Sequence, residues 1–167
     1  MTSIDVMIEI PYNSYIKYEY DEKIKAIRCD RILNTSMCYP GNYGFIPNTL
    51  SGDGDPLDIL LLSDYPLFPG TIIKARIIGV LLTVDEKGDD EKIIMVPCSS
   101  VDPTYYDIHN YDQLSKITLS KIKHFFTHYK DNETTKWVKV TGFKDRDTAI
   151  QIYNSSILRY KNKNIQD

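Results

Sequence analysis

Hydrophobic and polar residues alternate along most of the first half of the chain, with the period of two that is typical of half-buried β-strands. Alternating or continuous apolar segments predict five to seven strands, over residues 6–11, 16–20, 23–33, 57–62, 70–84, 93–97 and 136–143. Gly79 interrupts the longest of these segments, which predicts a bend or a β-bulge there. The acidic segment 85–92 is typical of a hairpin turn.

The last third of the chain changes to the period of a helix. Residues 114–129 and 145–160 each place apolar side chains on one face, and Asp145 is positioned to cap the second helix. The apolar face of the first helix consists of Ile122, Phe125, Phe126 and Tyr129. The pattern predicts a single domain over residues 1–167, of the α+β class but mainly β, with a small barrel and helices packed outside it.

Composition narrows the class of protein. The chain has 167 residues, of which 42% are hydrophobic and 26% charged, as in ordinary soluble domains. A formal charge of −3 argues against a dedicated nucleic-acid binder, which carries a basic excess. Three cysteines without C-x-x-C spacing, together with the lack of a signal peptide or a long apolar run, predict a soluble cytoplasmic protein that does not bind membranes.

The segment SGDGDPLD, residues 51–58, places Asp53, Asp55 and Asp58 close together just before a buried strand. Like charges about 5 Å apart repel by roughly 3 kcal/mol per pair at an effective dielectric constant of 20, so a bound cation would favour this arrangement. A solvated turn is the simpler alternative, because aspartate and glycine both form turns.

The type of cation follows from the ligands that the segment offers. An EF-hand requires glycine at loop position 6 and glutamate at position 12, and counting from Asp53 puts Asp58 and Asp64 there instead. Carboxylates without histidine or cysteine favour Mg²⁺ or Mn²⁺, which bind phosphate oxygens as well.

A second acidic cluster lies in the predicted hairpin, at Asp85, Glu86, Asp89 and Asp90. Taken alone, it is equally well explained as a solvated charged turn. If the barrel brings it near residues 53–58, the two clusters would form a site for several metal ions. Such a site can generate a hydroxide near neutral pH and stabilise a phosphoryl transfer.

Groups that could bind phosphate oxygens flank these acids. Arg31, Tyr39 and Tyr43 precede the first cluster, and Tyr129 and Lys130 follow the first predicted helix. A phenol can donate a hydrogen bond to phosphate without cancelling the charge of a metal ion. Each of these residues alone could equally serve in packing or on the surface.

Four segments carry a resemblance to a known family: IEIP (8–11), YPGNYGFIPNTLSGDGDPLDILLL (39–62), GVLLTVDEKGDDEK (79–92) and HFFTHYKD (124–131). Together they resemble the soluble inorganic pyrophosphatases of the first, Mg²⁺-dependent family in their bacterial form, over residues 6–160. The resemblance implies a five-stranded OB-type barrel with flanking helices. It also implies hydrolysis of pyrophosphate to two phosphates by direct attack of a hydroxide held between metal ions, with several Mg²⁺ per site and Mn²⁺ as a possible substitute.

The resemblance also implies roles for individual residues. Asp55 corresponds to the general base. The implied metal ligands are Glu9, Asp53, Asp58, Asp85 and Asp90. The implied phosphate-binding residues are Lys17, Arg31, Tyr43, Lys92, Tyr129 and Lys130, with Glu19 and Tyr39 supporting the nucleophile.

His124 and His128 lie one helical turn apart. The zinc motif H-E-x-x-H would need glutamate where Phe125 stands, so a zinc site is rejected. The resemblance implies a homohexamer, a dimer of trimers, with His124, His128 and Asp131 at an interface and an assembly that depends on pH. A solvated or packed histidine pair is the plain alternative.

Two other functions compete with the enzyme. A non-catalytic OB-type module would bind single-stranded nucleic acid through basic and aromatic side chains, yet the candidate groove is largely acidic. An inactive relative could serve as a scaffold, although each matched site position holds the expected type of residue. Phosphate release from pyrophosphate distinguishes the three.

Overall fold

The computed structural model describes residues 2–166, in which strands predominate and two α-helices lie in the second half of the chain. The helices are α1 (Lys116–His128) and α2 (Arg146–Gln166). The strands are β1 (Ile4–Ile10), β2 (Ile16–Asp21), β3 (Ala26–Ile32), β4 (Asn42–Ile46), β5 (Leu57–Leu61), β6 (Ile72–Asp85), β7 (Gly88–Asp89), β8 (Lys92–Pro97) and β9 (Val138–Lys144).

Five strands close into a ring in the order β1, β4, β5, β8 and β6, because β6 also pairs with β1. Strands β7 and β9 pair antiparallel with the second half of β6, while β2 and β3 form a separate hairpin. The mainly β class, the OB-type barrel and the two flanking helices are therefore confirmed. Closing the sheet on itself removes the unpaired edges that an open sheet would expose.

The ring requires close approach of β1 and β4. Gly44 pairs with Ile8, and a Cβ atom built on Gly44 would lie 1.9 Å from the carbonyl oxygen of Met7. Any side chain there would push the two strands apart.

Strands β4, β5, β6 and β8 bury side chains on both faces, while β1 alternates between buried and more exposed residues, and the core is divided into two layers. On β5 and β8, Leu60 and Ile94 pack towards α1, where Phe125 and Phe126 complete the layer. The intervening residues belong to the second layer, which includes Ala149 of α2. Strands buried on both sides read as continuous apolar runs rather than alternating ones, as residues 57–62 and 93–97 do.

Most predicted elements are confirmed, with adjusted ends. The longest strand has a register shift between Ile77 and Gly79, which is the predicted bulge. Asp145 caps α2 by accepting a hydrogen bond from the amide of Thr148 at 2.9 Å. The second helix continues past its predicted end at residue 160.

Two expectations need correction, and a third is refined. The residues described include nine strands rather than five to seven. Strand β4 was not predicted, since its proline- and glycine-rich surroundings are typical of a loop. The predicted hairpin at segment 85–92 is present, since β6 and β8 pair antiparallel, but it is not a simple exposed turn: β7 pairs with the end of β6, and Asp85 and Asp90 are buried.

The sequence predicts no membrane span. Between residues 2 and 166, no helix is both long enough and apolar enough to cross a lipid bilayer.

Candidate active site

An open cavity of about 670 Å³ lies where β5, β6 and β8 meet the loop 51–56. It collects side chains that are far apart in the sequence. All fourteen site residues proposed from the sequence line it: Glu9, Lys17, Glu19, Arg31, Tyr39, Tyr43, Asp53, Asp55, Asp58, Asp85, Asp90, Lys92, Tyr129 and Lys130. The convergence of the two acidic clusters, which the sequence left conditional, is therefore present.

Strand register places a buried lysine between two carboxylates. Parallel pairing sets Asp58 of β5 opposite Lys92 of β8, and Asp90 lies two residues before Lys92. The Lys92 Nζ atom is 2.9 Å from Asp90 Oδ2 and 3.4 Å from Asp58 Oδ2. It also donates to the Tyr43 hydroxyl at 2.6 Å, which in turn donates to Asp58 at 2.7 Å.

The pKa values in this network show which charges are stable. Burial raises the pKa of Asp58 to about 7, although the Lys92 charge opposes the shift. The pKa of Asp90 is lowered despite its burial, because the ammonium of Lys92 lies closer to it. Burial disfavours the charge of Lys92, but the two carboxylates outweigh that effect and raise its pKa. Lys92 is thus held in its charged form.

Loop 51–56 presents its carboxylates differently. Gly54 has φ +91°, which favours glycine, and the amide of Asp55 donates to Asp53 Oδ1 at 3.0 Å. The Asp55 carboxylate is exposed, with Lys87 Nζ 3.9 Å away. Partial burial, with neighbouring carboxylates adding to it, raises the pKa of Asp53. The loop therefore carries negative charge with little compensation.

A second buried ion pair borders the cavity at the end of β6. The Lys130 Nζ atom lies 3.1 Å from Asp85 Oδ2 and 3.7 Å from Glu86 Oε2. Lys130 follows the end of α1, so this pair connects the helix to the barrel. Its direct contact with Asp85 was not foreseen in the sequence.

The β2–β3 hairpin and β1 supply the opposite wall. Glu9 Oε2 accepts a hydrogen bond from the amide of Tyr20 at 2.7 Å, and burial raises the pKa of Glu9 to about 7. Lys17 donates to Glu19 and, at 3.1 Å, to Asp30. Burial opposes the charge of Lys17, yet these carboxylates raise its pKa.

Arg31 on β3 is anchored from two sides. Its Nη1 atom lies 3.4 Å from Asp30, and its Nε atom lies 3.2 Å from Glu133 Oε1. The Nε–Glu133 contact is an ion pair without hydrogen-bond alignment, because both buried atoms lack a hydrogen-bond partner. The remaining guanidinium donors are available to an anion in the cavity.

The phenols form the floor of the cavity. Tyr39 packs on Phe125 with ring centroids 4.7 Å apart, and Tyr43 lies 5.5 Å from Tyr39. Tyr129 stacks on Phe125 at 5.1 Å. Burial raises the pKa of Tyr39 and Tyr43 well above the usual value, so both remain neutral hydrogen-bond donors at physiological pH.

The donor set fits a hard divalent cation. Carboxylates reach the cavity from β1, from loop 51–56 and from the β6–β8 connection, and the residues described there include neither histidine nor cysteine. Burial raises the pKa of Glu9, Asp53 and Asp58, so an added positive charge would stabilise the ionised forms of these carboxyl groups. Among residues 2–166, however, no three acidic, histidine or cysteine side chains already form a closed cluster. The site therefore suits a divalent cation by the type of its ligands and by their convergence on one cavity.

Comparison with known proteins decides the family. A family profile described as inorganic pyrophosphatase matches residues 6–161. The chain belongs to the inorganic pyrophosphatase family. The inorganic pyrophosphatase of Campylobacter jejuni is 51% identical over 158 residues, covering 95% of this chain and 92% of the relative. That of Rickettsia typhi is 52% identical over 161 residues, covering 96% and 90%.

Solved structures of inorganic pyrophosphatases share the fold. The enzyme of Helicobacter pylori superimposes with a TM-score of 0.94 at 50% identity, covering 95% of this chain and 94% of that chain. The Thermus thermophilus protein gives a TM-score of 0.92 at 45% identity, covering 95% and 91%. The bacterial type of inorganic pyrophosphatase that the sequence resembles is confirmed.

Some residues around the inorganic pyrophosphatase cavity were missed. Asp30 contacts both Lys17 and Arg31, and Glu133 contacts Arg31. Glu86, noted only as part of an acidic turn, contacts Lys130. Asp30 had a local signal, because it precedes Arg31. Glu133 had none, since a residue of the segment after α1 meets β3 only in the folded chain.

The three residues assigned to an interface lie outside the cavity. His128 Nδ1 is 2.7 Å from Asp131 Oδ2 within the same chain, and the His124 and His128 rings are 4.9 Å apart. Both members of the His128–Asp131 pair are about half exposed, at 47% and 58%. Neither belongs to the cavity wall.

Proposed function

We propose that this chain hydrolyses pyrophosphate to two orthophosphates, with Mg²⁺ as its cofactor and by direct attack of water. The observation that carries the proposal is that one cavity brings together carboxylates suited to Mg²⁺ and cationic and phenolic donors suited to phosphate oxygens. Family membership supports it independently. No nucleophilic serine, cysteine or histidine is required.

The metal ions would be held by Glu9, Asp53, Asp58, Asp85 and Asp90, with Mn²⁺ as a possible substitute. Bound there, they would supply positive charge to the phosphate oxygens and acidity to the attacking water. All five carboxylates belong to the cavity wall, and Asp58 and Asp90 keep a fixed position through Lys92.

Asp55 would accept the proton from the attacking water. Its side chain is largely exposed, and Lys87, the one cation within 4.0 Å of it among residues 2–166, lies 3.9 Å away, so its oxygens are free to approach a water molecule in the cavity. A general base must reach the proton that it removes, and an open loop position allows this. Glu19 and Tyr39 would support the water from the hairpin and from the floor.

Phosphate oxygens would be bound by Lys17, Arg31, Tyr43, Lys92, Tyr129 and Lys130. Charge spreads over the peripheral oxygens in the transition state of phosphoryl transfer, so fixed donors are the main catalytic contribution of such residues. The salt bridges of Arg31, Lys92 and Lys130 hold their positive ends in place before substrate binds.

One assay tests this function: phosphate release from pyrophosphate with Mg²⁺, with a chelator as the control. Asp55→Asn should lower turnover by about two orders of magnitude or more, the usual scale for loss of general-base help. Asp89→Asn is the matched control, because Asp89 is an exposed acid on β7 outside the cavity wall. Turnover that persists in chelator would overturn the metal dependence, and full activity of Asp55→Asn would overturn its role as base.

The lining of the cavity weighs against a nucleic-acid-binding module, and its buried ion pairs weigh against an inactive scaffold. A nucleic-acid groove would repel the phosphate backbone with these carboxylates. A scaffold without activity would need neither the buried Lys92 network nor the convergence of fourteen site residues. Absence of phosphate release from a folded sample that binds Mg²⁺ would favour the scaffold.

The proposal extends to assembly and location. A homohexamer built as a dimer of trimers would use the surface of His124, His128 and Asp131, which is exposed in the single chain. Because histidine changes charge between about pH 5 and 8, assembly would depend on pH. Sedimentation at pH 5 and pH 8.5 should show different oligomers, and a monomer at both would overturn this part. The free cysteines are compatible with a cytoplasmic location.

A further inference from the structure

A second cavity, of about 230 Å³, lies at the other end of β6. We call it the arginine cavity, because Arg76 of β6 and Arg146 at the start of α2 both line it. Nine residue steps separate Arg76 from Asp85 on the same strand, which corresponds to about 30 Å at roughly 3.3 Å per residue. The arginine cavity is therefore separate from the acidic cavity.

Arg76 is a buried cation whose side-chain hydrogen-bond partners, in the part of the chain that the structure describes, are neutral. Its side chain donates hydrogen bonds to the carbonyl oxygens of Ile108 and Tyr105, which are neutral acceptors. These bonds use two of the five N–H donors of a guanidinium. No carboxylate between residues 2 and 166 lies within 4.0 Å of either arginine's nitrogen atoms. A buried charge without a partner is unfavourable.

Arg146 adds a second positive charge to the same cavity. Burial is the main effect that lowers the pKa of Arg76; Cys98 opposes it, the charge of Arg146 adds to it, and Asp107 opposes it least. The side chain of Arg146 makes no hydrogen bond to another part of the chain that the structure describes. An anion between the two guanidinium groups would satisfy both of them with charge-assisted hydrogen bonds.

The rest of the wall is mainly apolar. Ile4, Ile77 and Ile150 line the arginine cavity, together with Thr2, Tyr153 and Asn154. A bare inorganic ion would leave these apolar side chains without contacts. The volume is below the roughly 300–1,000 Å³ of pockets for drug-sized ligands, so the matching ligand is small.

We propose that the arginine cavity binds a small organic anion, with its acidic group between Arg76 and Arg146 and its apolar part against the three isoleucines. Carboxylates and phosphate monoesters or phosphonates with about one ring belong to this class. Such a ligand would join β1, β6 and α2, and binding to the folded state only would raise the melting temperature. The site is independent of the proposed hydrolysis.

Phenylphosphonate is a suitable probe, because it combines the acidic group with one ring and has no phosphoanhydride bond. Binding is measured by calorimetry and by thermal unfolding, with a chelator present to keep metal ions out of the acidic cavity. Orthophosphate supplies the acidic group alone, and benzyl alcohol supplies the ring with a neutral head. Each should bind at least about tenfold more weakly than phenylphosphonate; equal binding of orthophosphate would overturn the apolar half of the proposal.

Variants then test the two charges. Arg146→Gln should weaken phenylphosphonate binding by about tenfold or more, the scale for losing one charge-assisted hydrogen bond. Lys144→Gln makes the same change of charge two residues away, at an exposed side chain outside the cavity wall, and should leave binding within about twofold. Unchanged binding in Arg146→Gln would overturn the proposal.

Location is tested in the wild-type protein, so that no variant has to fold. A crystal soaked with 4-bromophenylphosphonate should give an anomalous bromine peak beside Ile4, Ile77 and Ile150. A peak only in the acidic cavity, or a peak in the arginine cavity without any binding in solution, would overturn the assignment.

Discussion

Two pairs of aspartates line the same cavity, and their surroundings differ. Asp58 and Asp90, which we call the buried pair because the lysine they share is buried, lie 3.4 Å and 2.9 Å from the Lys92 ammonium, although the Asp58 side chain is itself 29% exposed. Asp53 and Asp55, which we call the loop pair, have Lys87 as the closest cation, 3.9 Å from Asp55. Lys87 is exposed, so solvent screens even that contact.

The comparison separates what holds the cavity together from what the cavity would hold. The buried pair is positioned before any ligand binds, because Lys92 contacts both carboxylates and the Tyr43 hydroxyl donates a hydrogen bond to Asp58. The loop pair gains no comparable partner from residues 2–166. Its negative charge is therefore the part of the site that an added cation would stabilise most.

The largest expected effect comes from removing the cation of the buried pair. Lys92→Met retains an unbranched side chain, one atom shorter, but leaves the buried Asp90 and the partly buried Asp58 without a counter-charge. Breaking a buried ion pair in this way costs about 3–5 kcal/mol of folding free energy. Urea unfolding of the metal-free protein measures the loss.

Lys87→Met is the matched control for that substitution, since Lys87 serves the loop pair from an exposed position. Exposed ion pairs contribute roughly 0–1 kcal/mol, so the control should be close to wild type. Similar losses in the two variants would show that the two pairs do not differ in the way proposed.

A smaller effect is expected at the loop pair. Substitution of Asp53 should change the melting temperature in opposite directions without and with Mg²⁺. The pKa of Asp53 is raised, mainly by burial, so its charged form is disfavoured by folding at any pH above the ordinary range of a carboxyl group. Asp53→Asn should therefore raise the melting temperature of the metal-free protein at pH 7. With Mg²⁺ present, the order should reverse, because the variant has lost a ligand.

The wild type supplies the scale for that experiment. A ligand at about one hundred times its dissociation constant stabilises the folded state by roughly 2.7 kcal/mol. Mg²⁺ should raise the wild-type melting temperature accordingly, and the rise should be smaller in Asp53→Asn. A melting temperature that ignores millimolar Mg²⁺ in the wild type would contradict a metal site at these carboxylates.

The two pairs also differ in how far the sequence predicts them. Asp53 and Asp55 are visible as a local cluster, because D-G-D-P is compact in the sequence. The contact between Asp58 and Lys92 depends on parallel pairing of β5 with β8, which a strand pattern does not specify. The resemblance supplied both residues, but their direct contact emerged only from the structure.

The same reason explains the misses in the fold. Helix α1 shows a clear apolar stripe and was predicted almost to its ends. Strand β4 is buried on both faces and contains Gly44, whose close approach to β1 is a tertiary requirement. Local pattern predicts elements with one exposed face, while residues selected by contacts between distant segments, such as Glu133 with Arg31, remain hidden.

The smallest expected effect tests whether the loop pair depends on its backbone. Gly54 has φ +91°, and a Cβ atom there would meet nothing within 4 Å, so Gly54→Ala changes conformational preference without a clash. A left-handed conformation costs an L-residue roughly 1–2 kcal/mol, and urea unfolding should show a loss of that size. Gly52→Ala is the matched control, because Gly52 is equally open but has no positive φ, and it should lose less than about half as much.

If Gly54→Ala also weakens the stabilisation by Mg²⁺ while Gly52→Ala does not, the turn that connects Asp53 to Asp55 positions their carboxylates. If both variants unfold and bind Mg²⁺ like the wild type, the loop pair needs no fixed backbone, and the contrast with the buried pair is one of charge alone.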